Sequence, residues 1–246
     1  MSYPRFFVES EIIEGNSVIL DGESAHHISK SLRMKVGERI VVCDKKRNEY
    51  ECVIESFSSE SVEARIEDVR RSLSEPDYKI TLYQACPKSD KMDVIVQKAV
   101  ELGVNEIVAF LSDRCIARYD AKDFEKKCAR WQKIALEAAK QSGRGYVPSV
   151  RWLSDLKKVI EDAEENGQLF MCYEDEENVT LKQYLSEHRD ENSFSFIIGS
   201  EGGFSPKEAE FCRQNGVRTV GLGQRILRTE TASGYVLSCF AYEREL

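Results

Sequence analysis

Residues 194–206 read FSFIIGSEGGFSP, an apolar run that passes directly into a glycine-rich loop. The run at 194–198 predicts a buried strand, and Ser205, Pro206 and Glu208 form the pattern of a capping box at a helix start. Glycines at the carboxyl end of a strand let the backbone approach a ligand and expose its amides. In an open α/β sheet, ligands bind at that edge. A tight turn without a ligand is the alternative interpretation of this loop.

A second segment, residues 222–235, reads LGQRILRTETASGY and also links a predicted strand to a predicted helix. It places Arg225 and Arg228 beside Gly223 and just ahead of Thr229. Because neighbouring parallel strands end at the same edge of a sheet, both segments are expected to face one crevice. The alternatives are that Thr229 caps the helix and that the two arginines form salt bridges.

Strand and helix patterns alternate from residue 80 onward. Strands are predicted at 80–85, 107–111, 169–173, 194–198 and 219–222. One helix is predicted between Ser89, which precedes it, and Gly103, which closes it, and another at 123–142. Repeated β–α units of this kind indicate an α/β domain with a mainly parallel sheet covered by helices.

The first 72 residues are instead β-rich. They contain β-prone runs at 40–43 and 50–54, a turn at 45–48 between them, and period-two alternation at 61–66. A short helix is predicted at 26–34. The polar, proline-containing stretch at 70–77 predicts the boundary between two domains.

Composition excludes several classes of protein. The chain has 246 residues, of which 41% are hydrophobic and 32% charged, as is typical of a folded globular protein. The sequence lacks an apolar run of membrane-spanning length and the pattern of a signal peptide, so a soluble, cytoplasmic protein is expected. Eight scattered cysteines without a C-x-x-C pair, and only three histidines, predict buried thiols and no metal site.

Charge is unevenly distributed along the chain. The net charge of −8 argues against nucleic acid at face value, yet residues 213–228 contain four arginines and no acid. The excess acid is concentrated at 155–192, where 12 acidic residues face 4 basic ones. A phosphate-rich partner therefore stays possible, with a mixed solvated surface as the alternative. Neither a dinucleotide fingerprint, a P-loop nor a G-x-S-x-G elbow occurs in the sequence.

The two loop segments, IGSEGGFSPKEAEF and LGQRILRTETASGYVLS, resemble the signature of the ribosomal RNA small subunit methyltransferase E family. That family belongs to the SPOUT methyltransferases. Further matches are PRFFV at 4–8, HHISKSLRMKVGE at 26–38, PKSDKMDVIVQKAVELGV at 87–104 and EAAKQSGR at 137–144. One departure is visible, because Ser200 stands where the family's loop usually has proline. Serine stiffens the loop less than proline does.

The resemblance implies a C-terminal SPOUT-type α/β trefoil-knot domain at 73–246, with the knot and cofactor site at about 190–240. It also implies an N-terminal PUA-like β-barrel domain at 1–72 that helps to hold RNA. The implied activity is S-adenosylmethionine-dependent methylation of N3 of a uridine in the decoding region of 16S rRNA, by a homodimer.

The resemblance and the loop positions together give a set of expected site residues. Arg228, with Arg225 second, is expected to stabilise negative charge on the uracil. The residues expected to bind the cofactor are Glu174, Ile198, Gly199, Glu201, Gly202, Gly203, Leu222, Gly223, Ile226, Leu227, Glu230, Thr231 and Ala232. The residues expected to bind RNA are Arg5, His27, Lys30, Arg33, Lys88, Lys91, Gln141 and Arg144.

Two other functions stay open at this point. The chain is either a SPOUT enzyme acting on another RNA atom, such as a ribose 2′-hydroxyl, or a non-catalytic RNA-binding protein of ribosome assembly. Nucleoside analysis of the product separates the first from uracil-N3 methylation, and absence of cofactor binding favours the second.

Overall fold

The computed structural model describes residues 3–8, 13–44, 46–164 and 166–246. The chain forms two compact units. Unit 1 comprises Met1–Glu75 and Ala139–Val147, and unit 2 comprises Pro76–Ala138 and Pro148–Leu246. No sequence pattern indicated that Ala139–Val147 belongs with unit 1.

Unit 1 is built on a six-stranded sheet. Its strands are β1 (Arg5–Phe7), β2 (Ile13–Glu14), β3 (Ser17–Asp21), β4 (Arg39–Cys43), β5 (Asn48–Phe57) and β6 (Ser61–Arg71), in the order β1-β4-β5-β6-β3-β2. The pairs are antiparallel except β1 with β4. Buried residues from β1, β3, β4, β5 and β6 meet in one apolar cluster, so the sheet curls around it. The predicted β-rich first domain is confirmed; of the predicted turn at 45–48, Lys45 lies outside the described residues.

The predicted helix at 26–34 was wrong in its bounds and type. The chain forms α1 at Gly22–His26 and continues as a π-helical turn at His27–Ser31. Ser29 Oγ donates to Ala25 O at 2.7 Å across this change. Arg33 then adopts a left-handed φ of 54°, which ends the helix before residue 34.

Unit 2 alternates strands and helices as predicted. The strands are β7 (Lys79–Ala85), β8 (Glu106–Phe110), β9 (Ser149–Trp152), β10 (Gln168–Cys172), β11 (Ser193–Ile198) and β12 (Arg218–Val220). The helices are α2 (Lys91–Glu101), α3 (Ala121–Ser142, whose last residues belong to unit 1), α4 (Leu156–Ala163), α5 (Leu181–Glu187), α6 (Pro206–Gln214) and α7 (Thr229–Glu245).

The sheet of unit 2 runs in the order β12-β10-β11-β7-β8-β9, and these neighbours pair in parallel. The predicted α/β fold with a mainly parallel sheet is therefore confirmed. Phe170, Phe196 and Phe240 stack in its core beside Phe194. This packing fixes β10 and β11 against α7, so the loops after β10, β11 and β12 leave one edge of a rigid sheet.

The predicted start of α6 is also confirmed. Ser205 Oγ accepts a hydrogen bond from Glu208 N at 3.2 Å, and Glu208 Oε2 accepts one from Ser205 N at 2.8 Å. Pro206 occupies the first turn. Within the described part of the chain, no helix combines the length and apolarity that a membrane crossing needs.

Candidate active site

A cleft of about 1170 Å³ lies at the carboxyl ends of β10, β11 and β12. Two segments supply most of its wall. We name residues 199–204, which follow β11, the glycine loop, and residues 221–228, which follow β12, the arginine loop. Both face one crevice, as expected. The expectation that the two strands are neighbours was wrong, because β10 lies between β11 and β12 in the sheet. The expected site residues in the wall are Lys91, Glu174, Ile198, Gly199, Glu201, Gly202, Gly203, Leu222, Gly223, Arg225, Ile226, Leu227, Arg228 and Ala232, whereas Glu230 and Thr231 lie outside it.

The glycine loop has little room for side chains. A Cβ on Gly199 would lie 3.1 Å from the backbone of Gly203 and 3.2 Å from the Phe204 ring. Gly203 has a left-handed φ of 62°, and a Cβ there would lie 2.1 Å from a carboxylate oxygen of Glu174. Its amide donates to Ser200 O at 3.0 Å, closing the turn. Glycine is therefore required here by both backbone conformation and space.

A buried hydrogen-bond network joins the glycine loop to the start of α7. Thr229 Oγ1 donates to Gly199 O at 2.6 Å, and Gln84 Nε2 donates to Thr229 Oγ1 at 2.9 Å and to Gly199 O at 3.3 Å. Arg228 occupies the N-cap position of α7, and Thr229 is buried with its hydroxyl turned to the other loop. The alternative interpretation that Thr229 caps the helix is therefore wrong.

A second link to the glycine loop is ionic. Lys91 Nζ lies 3.0 Å from a carboxylate oxygen of Glu201 and 3.5 Å from one of Glu230. The backbone amide of Lys88 donates to both Glu201 oxygens, at 3.1 and 3.2 Å. Burial pushes the pKa of Glu201 upward, but the hydrogen bond with Lys91, the backbone hydrogen bonds that include the one from Lys88, and the charge of Lys91 together lower it below its usual value. The ammonium of Lys91 thus holds together two segments that carry expected site residues.

Glu174 places a carboxylate against the same loop. Burial raises its pKa, the charge of Asp175 adds to that effect, and the charge of Arg114 opposes it. Arg114 Nη1 lies 3.9 Å from Glu174 and donates to Gly202 O at 3.0 Å. Arg114, in the loop after β8, therefore also holds the glycine loop in place.

The arginine loop carries two guanidinium groups that are not paired with any of the described residues. The side chains of Arg225 and Arg228 are exposed, and neither forms a hydrogen bond or ion pair with any residue that the structure describes. The alternative that they form salt bridges is therefore wrong for the described residues, and Glu201 and Glu230 pair with Lys91 instead. Two such guanidinium groups at the rim of a cleft are suited to bind an anionic group or developing negative charge.

Comparison with known proteins decides the family. The model of the RNA methyltransferase domain matches residues 74–241, and that of the RNA methyltransferase PUA domain matches residues 20–67. A ribosomal RNA small subunit methyltransferase E from Bacillus subtilis is 34% identical, over 98% of this chain and 97% of the relative. The chain belongs to the ribosomal RNA small subunit methyltransferase E family. A member from Aquifex aeolicus is 33% identical over 93% of this chain and 96% of its own length.

A solved structure of the same family has this fold. The ribosomal RNA small subunit methyltransferase E from Neisseria gonorrhoeae, bound to S-adenosyl methionine, is 30% identical over 98% of both chains, with a TM-score of 0.81. The likeness spans both units, so the N-terminal PUA-like domain and the α/β methyltransferase domain of the family are present in this chain.

Of the eight residues expected to bind RNA in this family member, five are exposed, Lys91 is paired with Glu201 and Glu230, and two form contacts within unit 1. His27, Lys30, Arg33, Lys88 and Gln141 are exposed.

Arg5 and Arg144 are already engaged within unit 1. Arg5 Nη1 lies 2.7 Å from Glu49 and donates to Cys43 Sγ. Arg144 is only 2% exposed, and its guanidinium donates to both carboxylate oxygens of Glu75 at 2.7–2.8 Å. Moving Arg144 to a phosphate would leave Glu75 buried and unpaired, so a structural role is the better interpretation of both arginines.

Several residues of the site were missed from the sequence, and three of them are polar side chains whose contacts matter here. Gln84 and Arg114 contact the glycine loop, and Thr180 lines the cleft. Gln84 could have been found, since it is the polar residue near the end of an otherwise apolar strand, ITLYQA. Arg114 and Thr180 carry no such signal.

The thiols of the chain are all free. Six of the eight are buried, and burial raises the pKa of Cys43 to about 11 and that of Cys212 to about 12. Among the described residues, no group of three or more histidine, cysteine, aspartate or glutamate side chains is arranged to hold a metal ion.

Proposed function

We propose that this chain transfers a methyl group from S-adenosylmethionine to N3 of a uridine in the decoding region of 16S rRNA. The observation that carries the proposal is one cleft that combines a glycine loop, whose glycines have little room for a Cβ, with two arginine side chains that have no partner among the residues the structure describes. The methyltransferase domain would comprise residues 73–246, and a PUA-like domain at 1–72 would help to hold the RNA. A ribosomal substrate is consistent with action in the cytoplasm.

The residues of the cleft fit the cofactor. The glycine loop presents backbone rather than side chains, which suits close approach by a nucleoside. Gly221, at the start of the arginine loop, is equally restricted, since a Cβ there would lie 2.2 Å from Glu176 O. When bound, S-adenosylmethionine supplies an activated methyl group. The residues that would hold it are those of the two loops, with Glu174 offering a carboxylate to the positively charged sulfonium.

The remaining task of the protein is to orient the uracil and to favour loss of the N3 proton. Good orientation of two reactants contributes about 7–11 kcal/mol. Ionising a weak acid a little over two units below its pKa costs roughly 3 kcal/mol, at 1.36 kcal/mol per unit. Arg228 would offset much of this by stabilising negative charge on the uracil carbonyls, with Arg225 in a secondary role. Hydroxide or solvent would take the proton.

Exposed basic and polar side chains would hold the RNA backbone. His27, Lys30, Arg33 and Gln141 of unit 1 and Lys88 of unit 2 are available to phosphate or ribose, while Lys91 is shared with two carboxylates. Binding through such contacts weakens steeply as salt is raised, because counterions are released. Binding to a 16S rRNA fragment that is insensitive to salt would contradict this part of the proposal.

The active form would be a homodimer. Ile226 is 88% exposed in the wall of the cleft, and Tyr235 is exposed on α7. Apolar surface beside a site is suited to cover by a second copy of the chain. Sedimentation equilibrium of the wild type and of Ile226→Asp tests this. The wild type is expected to be a dimer, and the variant is expected to have a larger dimer dissociation constant.

The proposed activity is tested by methyl transfer from labelled S-adenosylmethionine to small ribosomal subunits that lack the modification. The RNA is then digested and its nucleosides are identified. Label in 3-methyluridine is the expected result. Label in another nucleoside, such as one methylated at the ribose, would keep the methyltransferase but move its target. Absence of both transfer and calorimetric cofactor binding would favour a non-catalytic assembly protein.

A further inference from the structure

Ser200 carries a buried hydroxyl that has no hydrogen-bond partner. The residue is 6% exposed, and its Oγ contacts no donor or acceptor among the residues that the structure describes. Ser200 lies in the glycine loop, between Gly199 and Glu201, and belongs to the wall of the cleft. The orphan hydroxyl is therefore placed in the segment that would hold the cofactor.

Buried Ser195 and half-buried Ser193 and Ser205, which lie near Ser200 in the sequence, all have hydrogen-bond partners within the chain. Ser195 Oγ and Ser193 Oγ, on β11, both donate to Asn166 O, at 3.1 and 3.0 Å. Ser205 Oγ accepts from Glu208 N. An unsatisfied buried hydroxyl destabilises a folded chain, and most buried polar groups in native proteins have a partner. The partner of Ser200 is therefore to be sought outside the chain.

We propose that the Ser200 hydroxyl hydrogen-bonds a polar group of bound S-adenosylmethionine and thereby contributes to the affinity of this chain for the cofactor. The proposal rests on the proposed function. Ser200 belongs to the wall of the cleft, and rotation about χ1 moves Oγ between staggered positions without moving the backbone. Ser200 stands where the family's loop usually has proline, which has no hydroxyl, so the contact is a property of this chain.

The test exploits two opposite effects of one substitution. In Ser200→Ala, loss of an unsatisfied polar atom is expected to leave the urea midpoint of the ligand-free chain unchanged or to raise it. The same variant is expected to bind S-adenosylmethionine about three- to tenfold more weakly by calorimetry, the effect of one lost hydrogen bond. A serine that served only the fold would instead lower the midpoint when replaced.

Ser195→Ala is the matched control, since Ser195 is buried in β11, the strand that leads into the glycine loop, but already has its partner within the chain. It is expected to lower the urea midpoint and to leave cofactor affinity within twofold. Wild-type affinity in Ser200→Ala, or a fall in its ligand-free midpoint that matches that of Ser195→Ala, would overturn the assignment alone. Failure of the wild-type chain to bind the cofactor would overturn the proposed function and the assignment with it.

Discussion

The glycine loop and the arginine loop form two sides of one cleft, but they are held very differently. The carbonyl of Gly199 accepts hydrogen bonds from two side chains, Gly202 O accepts one from Arg114, and Glu201 is held by the amide of Lys88 and by Lys91. Residues 223–226 of the arginine loop are exposed, and the side chains of Arg225 and Arg228 have no partner in the described part of the chain.

This difference separates two tasks. A fixed glycine loop is organised before a ligand arrives, which reduces the entropy lost on binding a small rigid group. An open arginine loop retains charge and freedom for a partner that brings its own negative charge, such as RNA or an ionising base. Accordingly, changes in the glycine loop are expected to act on cofactor affinity, and changes in the arginine loop on methyl transfer.

Arg228→Ala is expected to give the largest effect. Removing one preorganised group that stabilises charge in a transition state costs about 10²–10³ in rate. Methyl transfer to the small subunit should therefore fall by that factor, while calorimetric affinity for S-adenosylmethionine changes little. Arg218→Ala, which removes an arginine paired with Glu187 on the surface, is the control and should retain activity. Unchanged transfer in Arg228→Ala would refute its catalytic role.

Gly199→Ala is expected to produce the opposite pattern. The added Cβ would press on the backbone of Gly203 and on the Phe204 ring, and overpacking of this kind costs about 1–3 kcal/mol. Expressed in the cofactor's dissociation constant, that is about 5- to 150-fold weaker binding. Gly234→Ala in α7 is the control, since its Cβ would meet only Leu102 at 3.7 Å and alanine favours the helix interior. Equal cofactor affinity in both variants would remove the distinction between the loops.

Gln84→Leu tests whether the two loops are coupled. Leucine removes the donor to Thr229 Oγ1 and one of the two donors to Gly199 O, while Thr229 still donates to Gly199 O. We expect a loss of about 1 kcal/mol in the free energy of unfolding and a decrease in both cofactor affinity and turnover. Gln132→Leu, which removes contacts to Pro148 and Val150 away from the cleft, should destabilise the chain without changing the ratio of turnover to KM. The same kinetic change in both variants would mean that Gln84 only supports the fold.

The sequence predicts the secondary structure of this chain better than its contacts between distant residues. The strands and the start of α6 follow from apolar runs, glycine positions and a capping box, which are local signals. The π-helical turn at His27–Ser31 does not, because the predicted pattern at 26–34 is equally compatible with an α-helix. The return of Ala139–Val147 to unit 1 depends on contacts distant in sequence, such as Arg144 with Glu75.

For the candidate site, the sequence located both loops but not their partners. Lys91 was expected to meet RNA, yet it lies between Glu201 and Glu230, and no spacing rule connects these three positions. Thr229 was open to interpretation as a cap, a role its residue type suits, but its hydroxyl bonds Gly199 thirty positions earlier. Which of several possible hydrogen bonds forms is decided by the packing of β7, β11 and α7, which a single sequence does not display.

The smallest expected effect is the pH dependence of cofactor affinity that arises from the carboxylate of Glu174, beside the glycine loop. Burial raises the pKa of Glu174, so on acidification this carboxyl takes up a proton at a higher pH in the folded chain than in the unfolded one. Protonation therefore favours the ligand-free fold as pH falls through that raised pKa, but removes an anion from the wall that would face the sulfonium. Cofactor affinity of the wild type should decrease a few-fold over the same range.

Two variants separate this effect from general acid sensitivity. Glu174→Gln should bind the cofactor more weakly at neutral pH and lose the decrease on acidification, so that both proteins converge in acid. Asp175→Asn removes a neighbouring charge that contributes to the raised pKa, so its affinity should begin to fall only at a lower pH than in the wild type. If the cofactor affinity of Glu174→Gln still decreased on acidification as in the wild type, another group would be the one that titrates. Glu174 would then make no charge contribution to cofactor binding.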